Sequence, residues 1–285
     1  MSNSSPATNT VLTSTGIAAL ALFFGVSSPA AEARPARVLL DNFYNHETKD
    51  GKRYHYTWDD KASSGFSKLG ALFTAETSTT FDHLTVAPTE ENLRAAAVYI
   101  IVDPDTENEA ANHAPHFVDA AAAEAVVRWV KAGGTLVLMN NAKEEADREH
   151  LNLLAERFGI TFNHDLRNQT PARNRQLATV DTQAATHPIF REVPSVYLKE
   201  ICTLRVRPPA TAILSAPKET GEGADVIMAT SQLGKGRVFA VGDPWLYNEY
   251  INTQVEGRNV ANQRAAANLV RWLLSQPTAA QPRTR

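Results

Sequence analysis

Gly234-Lys-Gly-Arg-Val-Phe-Ala-Val-Gly-Asp-Pro-Trp-Leu-Tyr-Asn-Glu-Tyr250 is the stretch that decides how this chain folds. It opens on a glycine turn. Val238 to Val241 is an apolar run that needs a packed interior. Asp243, Trp245, Tyr247, Asn248, Glu249 and Tyr250 then crowd together where the strand leaves that interior. In open α/β sheets, ligands sit outside the carboxyl ends of the strands. The segment therefore predicts a buried strand and marks the edge where a site is to be sought. Gly234-Lys-Gly236 precedes a strand rather than a helix and is too short for a dinucleotide fingerprint, so it reads as a hairpin turn. No Walker-type phosphate loop occurs in the chain.

Moving outward, the same kind of strand recurs. Arg37-Val-Leu-Leu-Asp41 is a short apolar run ending in polar residues, Ala97-Val-Tyr-Ile-Ile-Val102 is strongly β-branched, Thr135-Leu-Val-Leu-Met139 reads as another buried strand, and Phe81 to Val86 is a further strand candidate. Helix signals lie between them. Phe66, Leu69 and Phe73 are helix-spaced within 64–74, and Thr89 is placed to cap a helix after Pro88. Ala120 to Lys131 turns Val126, Val127 and Val130 inward and stops at Gly133-Gly134. Leu151 to Phe158 is capped by Gly159. Strands without polar alternation, interleaved with helices, predict a mostly parallel sheet covered on both faces. The second half is richer in strands: Tyr197 to Val206, Thr211 to Leu214, and Asp225 to Thr230 paired with Arg237 to Val241 across the glycine turn. Asn262 to Leu274 closes the fold as an amphipathic helix.

Composition narrows the function. A formal net charge of -3 gives no basic footprint, so nucleic acid is not an expected partner. A single cysteine, Cys202, excludes an internal disulfide and a cysteine-based zinc site. Cys202 sits in an apolar run and reads as a buried structural thiol rather than a nucleophile. Ile17 to Val26 is apolar but too short to span a bilayer, and Ala31-Glu-Ala33 offers the small residues of a signal-peptidase site. Residues 1–33 are therefore expected to be a signal peptide, although 1–16 carry no Lys or Arg. A periplasmic or secreted location follows, with no membrane association after cleavage. Residues 276–285 read as a disordered tail.

The carboxyl ends of the strands collect the chemistry. The first offers Asp41, Asn42, Tyr44, Asn45 and His46; the next Asp103, Asp105 and Glu107; the next Asn140, Asn141 and Glu144; the last Asp243 to Glu249. Asp and Asn are common at such ends because they cap turns, but four converging ends with interleaved aromatics exceed that need. Asp103, Asp105, Asp243 and Glu249 are the candidate acids and bases, since glycoside hydrolysis needs two carboxylates in different protonation states. Asp41, Asn42, Tyr44, His46, Asn140, Trp245, Tyr247 and Asn248 are the candidate sugar-binding groups, because aromatic faces stack on sugar rings and amides bond hydroxyls in both directions. No cofactor is expected. His46, His55, Asp59, Asp60, Asp103 and Asp105 include metal-ligand types, but no pair has diagnostic spacing, and His113-x-x-His116 lies among Ala and Pro.

Trp129-Val-Lys-Ala-Gly-Gly-Thr-Leu-Val-Leu-Met139, Leu151 to Phe162, Gly234 to Asp243 and the terminal Arg271-Trp-Leu-Leu274 together resemble the class I glutamine amidotransferase-like superfamily. That resemblance covers roughly residues 36–275 and implies one flavodoxin-like, Rossmann-type three-layer sandwich. Asp41 to Asp60, Ile101-Val-Asp-Pro-Asp105 and Gly242 to Tyr250 are similar to a domain found beside or fused to bacterial unsaturated rhamnogalacturonyl hydrolases. The chain departs from the amidotransferase pattern where Asn140-Asn141 follows Met139 with no nucleophilic cysteine. Glutamine hydrolysis is not expected. The helical toroid of the neighbouring hydrolase is also missing. Two readings stand at this point. The chain is a carbohydrate-active hydrolase acting on acidic, pectin- or rhamnogalacturonan-derived oligosaccharides, or it is a non-catalytic module that binds a glycan or a partner such as the hydrolase's catalytic domain.

Overall fold

The computed structural model describes residues 1–2, 35–49, 52–53, 55–108 and 114–275. Residues 3–33 of the expected signal peptide, the tail at 276–285 and His113 lie outside the described residues. Chain contacts group Met1–Ala33 and Arg34–Arg285 as separate units; the fold below belongs to the second.

The elements run β1 (Ala36–Asp41), α1 (Ser67–Glu76), β2 (Thr79–Leu84), α2 (Glu90–Leu93), β3 (Val98–Val102), α3 (Ala120–Ala132), β4 (Thr135–Met139), α4 (Glu149–Ala155), β5 (Ile160–Phe162), β6 (Leu204–Val206), β7 (Thr211–Pro217), β8 (Ala224–Leu233), β9 (Gly236–Val241) and α5 (Asn262–Leu274). One nine-stranded sheet has the order β2-β1-β3-β4-β9-β8-β6-β5, with β7 also paired to β8. Strands β2, β1, β3, β4 and β9 are mutually parallel. Their order is the flavodoxin-like 2-1-3-4-5 arrangement. The rest of the sheet is antiparallel, which is the strand-rich addition expected for the second half.

The parallel strands are apolar because both faces are covered. Val38, Leu40, Ile100, Val137 and Phe239 pack with Leu69 and Phe73 of α1 and Leu269 of α5. Leu39, Tyr99, Ile101, Leu138 and Val238 pack on the opposite face with Val126 and Val130 of α3 and Leu151 of α4. Successive strand residues point to opposite faces, so this division is the three-layer sandwich. Local signals agree with it. Asp119 accepts from Ala122 N to start α3, and Thr89 with Asn92 forms a capping box on α2. Leu233 pairs with Gly236, so Gly234-Lys235 is a two-residue hairpin loop, and Gly234 has the positive φ (61°) that such loops use.

One expected strand is corrected. Tyr197 to Val206 is not continuous. Ser195–Tyr197 pairs with Thr179–Asp181 in a separate ribbon, and only Leu204–Val206 joins the main sheet. Glu200 lies between them with φ 53°, which no strand accommodates. The expected helix at 151–158 starts earlier, at Glu149, and tightens to a 3-10 turn over Glu156–Phe158.

Candidate functional site

Register builds the site. Val102, Met139 and Val241 lie side by side on β3, β4 and β9. Asp103 N donates to Met139 O (2.8 Å), and Asn140 N donates to Val241 O (3.2 Å). Asp103, Asn140 and Gly242 therefore form the next row, with Asp243 one residue beyond. Adjacent strands are about 4.8 Å apart, so the outer members of that row are about 10 Å apart. The strand order reverses on the β1 side of Asp103: β1 connects outward to β2, and β3 returns to the other flank of β1. That crevice is the topological switch point, the usual ligand site of such sheets. Asp103 has φ 46°, a left-handed conformation that costs a non-glycine residue energy and tends to occur at functional positions.

On the β1 side, most of the polar groups hold the fold. Asp41 is fully buried; its Oδ2 accepts from the backbone N–H groups of Phe43 (3.3 Å), Tyr44 (2.8 Å) and Asn45 (3.2 Å). Its Oδ1 accepts from Tyr99 OH (2.7 Å). Asn42 accepts from Arg53 Nε. Asn45 donates to Asp103 O (2.5 Å), tying the two sides of the switch point together. Asp105 is 1% exposed and accepts from His46 N (3.0 Å), with the His46 ring 3.3 Å away. The Tyr44 ring is buried against Phe43. Sugar stacking by Tyr44 is thereby corrected: its ring has no free face at the surface.

The β9 side differs. Asp243 is fully buried, and its Oδ1 accepts from Trp245 N (2.6 Å). Its Oδ2 has no hydrogen-bond partner among the described residues. Burial pushes its carboxyl well above the ordinary range; the Trp245 N–H opposes that, and nearby Asp103 adds to it. Tyr56 OH donates to Asp103 Oδ2 (2.8 Å), and burial raises that phenol, with Asp103 next in effect. Lys199 Nζ sits 3.9 Å from the centroid of the Trp245 ring and 2.9 Å from Glu200 Oε2. Tyr56, Asp103, Asp243, Lys199 and Trp245 thus gather at the carboxyl ends of β3 and β9.

Three more expected residues do other work. Tyr247 is corrected as a stacking group: its ring is fully buried on Phe239, and its OH donates to Met228 Sδ (3.7 Å). Asn248 is 1% exposed and caps a 3-10 turn through Tyr250 N (2.9 Å), so it is corrected from sugar contact to structural cap. Asn140 is buried, donating to Asp147 O (3.3 Å) and accepting the Cys202 thiol (3.9 Å). Glu249 opens the 3-10 turn Glu249–Asn252. Cys202 is buried and its thiol is raised by burial, which suits a packing role. Tyr56 was not expected at the site, because it lies in an aperiodic loop and reaches Asp103 across 47 residues of sequence. Among the described residues, no cluster of three or more His, Cys, Asp or Glu side chains is arranged to hold a metal, and no helix is long and apolar enough to cross a membrane.

Asp41 gives a pH prediction. Burial lifts its pKa to about 6 against the opposing hydrogen bonds. The folded chain therefore binds a proton that the unfolded chain has released, and this group's contribution to stability falls as pH rises from about 4 to about 6. The shift from 3.8 to about 6 corresponds to about 3 kcal/mol. Asn can replace Asp here, because Tyr99 OH can accept as well as donate. Asp41→Asn should lose this part of the slope, so its stability relative to wild type should rise between pH 4.5 and 7 in urea unfolding. A difference that does not change with pH would contradict the assignment.

No family model and no curated protein matches the chain. Solved structures do. The mmIFT52 N-terminal domain is 18% identical, with a TM-score of 0.62 over 86% of this chain and 100% of that one. A cytoplasmic protein from Salmonella typhimurium LT2 is 12% identical, with a TM-score of 0.53 over 84% and 99%. A ThuA-like protein from Bacteroides uniformis is 16% identical, with a TM-score of 0.50 over 90% and 99%. A beta-galactosidase from Rahnella sp. R3 is 12% identical, with a TM-score of 0.50 over 85% of this chain and 32% of that one. At these identities the likeness is one of fold: an α/β, flavodoxin-like sandwich around a mostly parallel sheet.

Proposed function

We propose that this chain acts on acidic oligosaccharides of the pectin or rhamnogalacturonan kind, at the edge formed by Asp103, Asp243, Lys199 and Trp245. The observation that carries the reading is Asp243: a fully buried carboxyl with one unpartnered oxygen, raised by burial and further by the second carboxyl of Asp103 at the same sheet edge. A buried carboxyl held protonated is suited to donate a proton. On this reading Asp243 protonates the glycosidic oxygen as the C–O bond breaks. Asp103 takes a proton from the attacking water, whose oxygen joins the anomeric carbon. Trp245 would stack on the ring, and Lys199 beside it would bond a ring hydroxyl. The periplasmic or secreted location and the association with a rhamnogalacturonyl hydrolase belong to the same proposal.

A second reading has its own support. Asp41, Asp105 and Asn248 are bonded internally, and Asp243 has no exposed surface. The fold also corresponds to only 32% of the Rahnella beta-galactosidase chain, as one part of a larger sugar enzyme. These points favour a non-catalytic module that binds a glycan or a catalytic partner. Incubating the chain with pectin-derived oligosaccharides, with and without chelator, separates the two. New reducing ends support the hydrolase; saturable binding without products supports the module.

A further inference from the structure

Beside the Asp103–Asn140 row lies a cavity of about 430 Å³, lined by Thr106, Lys143, Asp147, Arg148, Asn152 and His164 among others. Two bonds fix it against the site. Asp147 N donates to Pro104 O (2.7 Å), and Asn140 Nδ2 donates to Asp147 O (3.3 Å). Asp147 is 9% exposed, and its Oδ1 accepts from His150 at both the ring Nδ1 (3.0 Å) and the backbone N (3.4 Å). Its Oδ2 is buried without a partner among the described residues. Arg148 donates through Nη2 to Lys143 O (2.5 Å), yet its Nη1 is likewise buried and unpartnered. Although the two residues are consecutive, these orphaned atoms do not satisfy each other.

A buried charged donor and a buried charged acceptor, each left unmet, cost stability unless something supplies the missing bonds. What meets both at once is a molecule that accepts from a guanidinium and donates to a carboxylate. A hydroxy acid does so, its carboxylate on Arg148 and a hydroxyl on Asp147. We infer that this cavity is the subsite for a uronic acid residue, with Arg148 reading the carboxylate and Asp147 an adjacent hydroxyl. The inference rests on the acidic-oligosaccharide reading and deepens it: the cavity places the charged sugar next to the row, while Asp243 serves bond cleavage. Lys143 adds positive charge at the rim, and Glu144 is paired to His164 (2.8 Å).

Titration calorimetry of the full chain with D-galacturonate and with uncharged D-galactose tests it. Galacturonate should bind at least about tenfold tighter, a preference of about 1.4 kcal/mol. Arg148→Ala should abolish the preference. Arg148→Lys, which keeps the charge but loses the fork, should retain part of it and decides the matter if the alanine variant does not fold. Equal affinity for the two sugars in the wild type, or an unchanged preference in both Arg148 variants, would overturn the subsite. If the preference depends on Arg148 but no oligosaccharide is cleaved, the hydrolase reading fails alone and the subsite stands.

Discussion

Asp243→Asn is expected to fold, to lose turnover of acidic oligosaccharides by about 10²–10⁴, and to become more stable than wild type at pH 8 but not at pH 4. The rate loss is the usual contribution of a general acid. An amide keeps the shape and still accepts the Trp245 N–H bond, so the fold has no reason to change. The stability term follows from burial, which raises this carboxyl well above its ordinary range. Folded Asp243 keeps its proton at pH values where an unfolded aspartate has released it. Wild-type stability therefore falls as pH rises above about 4, until the folded group also ionises. Asn does not titrate and escapes that fall. The difference between variant and wild type should grow with pH, a trend that chemical denaturation at several pH values reads directly. If turnover exists and is unchanged in the variant, Asp243 is not the acid. If the two unfolding curves keep a constant separation from pH 4 to pH 8, its carboxyl is not held protonated by the fold.

The sheet is legible in the sequence because its parallel strands are sealed on both faces. Leu136 to Met139 can be apolar at every position only if helices cover it above and below, and α3, α4 and α5 do. The edge bearing Asp103 and Asp243 is legible for a related reason, since polar residues can gather only where the strands leave the core. What one dimension leaves open is where each side chain goes after that. Tyr247 N turns back to Pro244 O (2.7 Å), and this tight turn carries the ring into the core rather than toward solvent. Tyr56 reaches Asp103 from a loop with no periodicity to announce it. Lys199 and Glu200 arrive at the site not on a strand but on an irregular crossing. Asp147 and Arg148 matter through atoms that remain unbonded, and spacing carries no trace of that. Propensity and pattern record burial well; they do not record which of two neighbouring polar groups is spent on a backbone cap and which is kept.

Gly242→Ala should be the most damaging small substitution at this edge. A Cβ on Gly242 would lie 1.9 Å from Cys202 O and 2.8 Å from Cys202 C, and neither is a side chain that can swing away. Cys202 N donates to Gly242 O (3.3 Å), so the crossing segment is fastened at the point of collision. The same segment delivers Lys199 to Trp245, and moving it should also open the contact beside Asp243. Overpacking typically costs about 1–3 kcal/mol, and a backbone collision belongs at the upper end. For a domain of this size about 3 kcal/mol lowers the melting temperature by roughly 6–12 °C. Gly70→Ala is the control. Its nearest contact would be an ordinary 3.5 Å to the Trp58 ring, and it lies within α1. Alanine there should be neutral or stabilising by up to about 1 kcal/mol, because glycine is the poorer helix former. Scanning calorimetry of the two variants should show opposite signs. A Gly242→Ala protein that melts with the wild type would mean that the crossing does not bear on the end of β9, and the route by which Lys199 reaches the site would have to be redrawn.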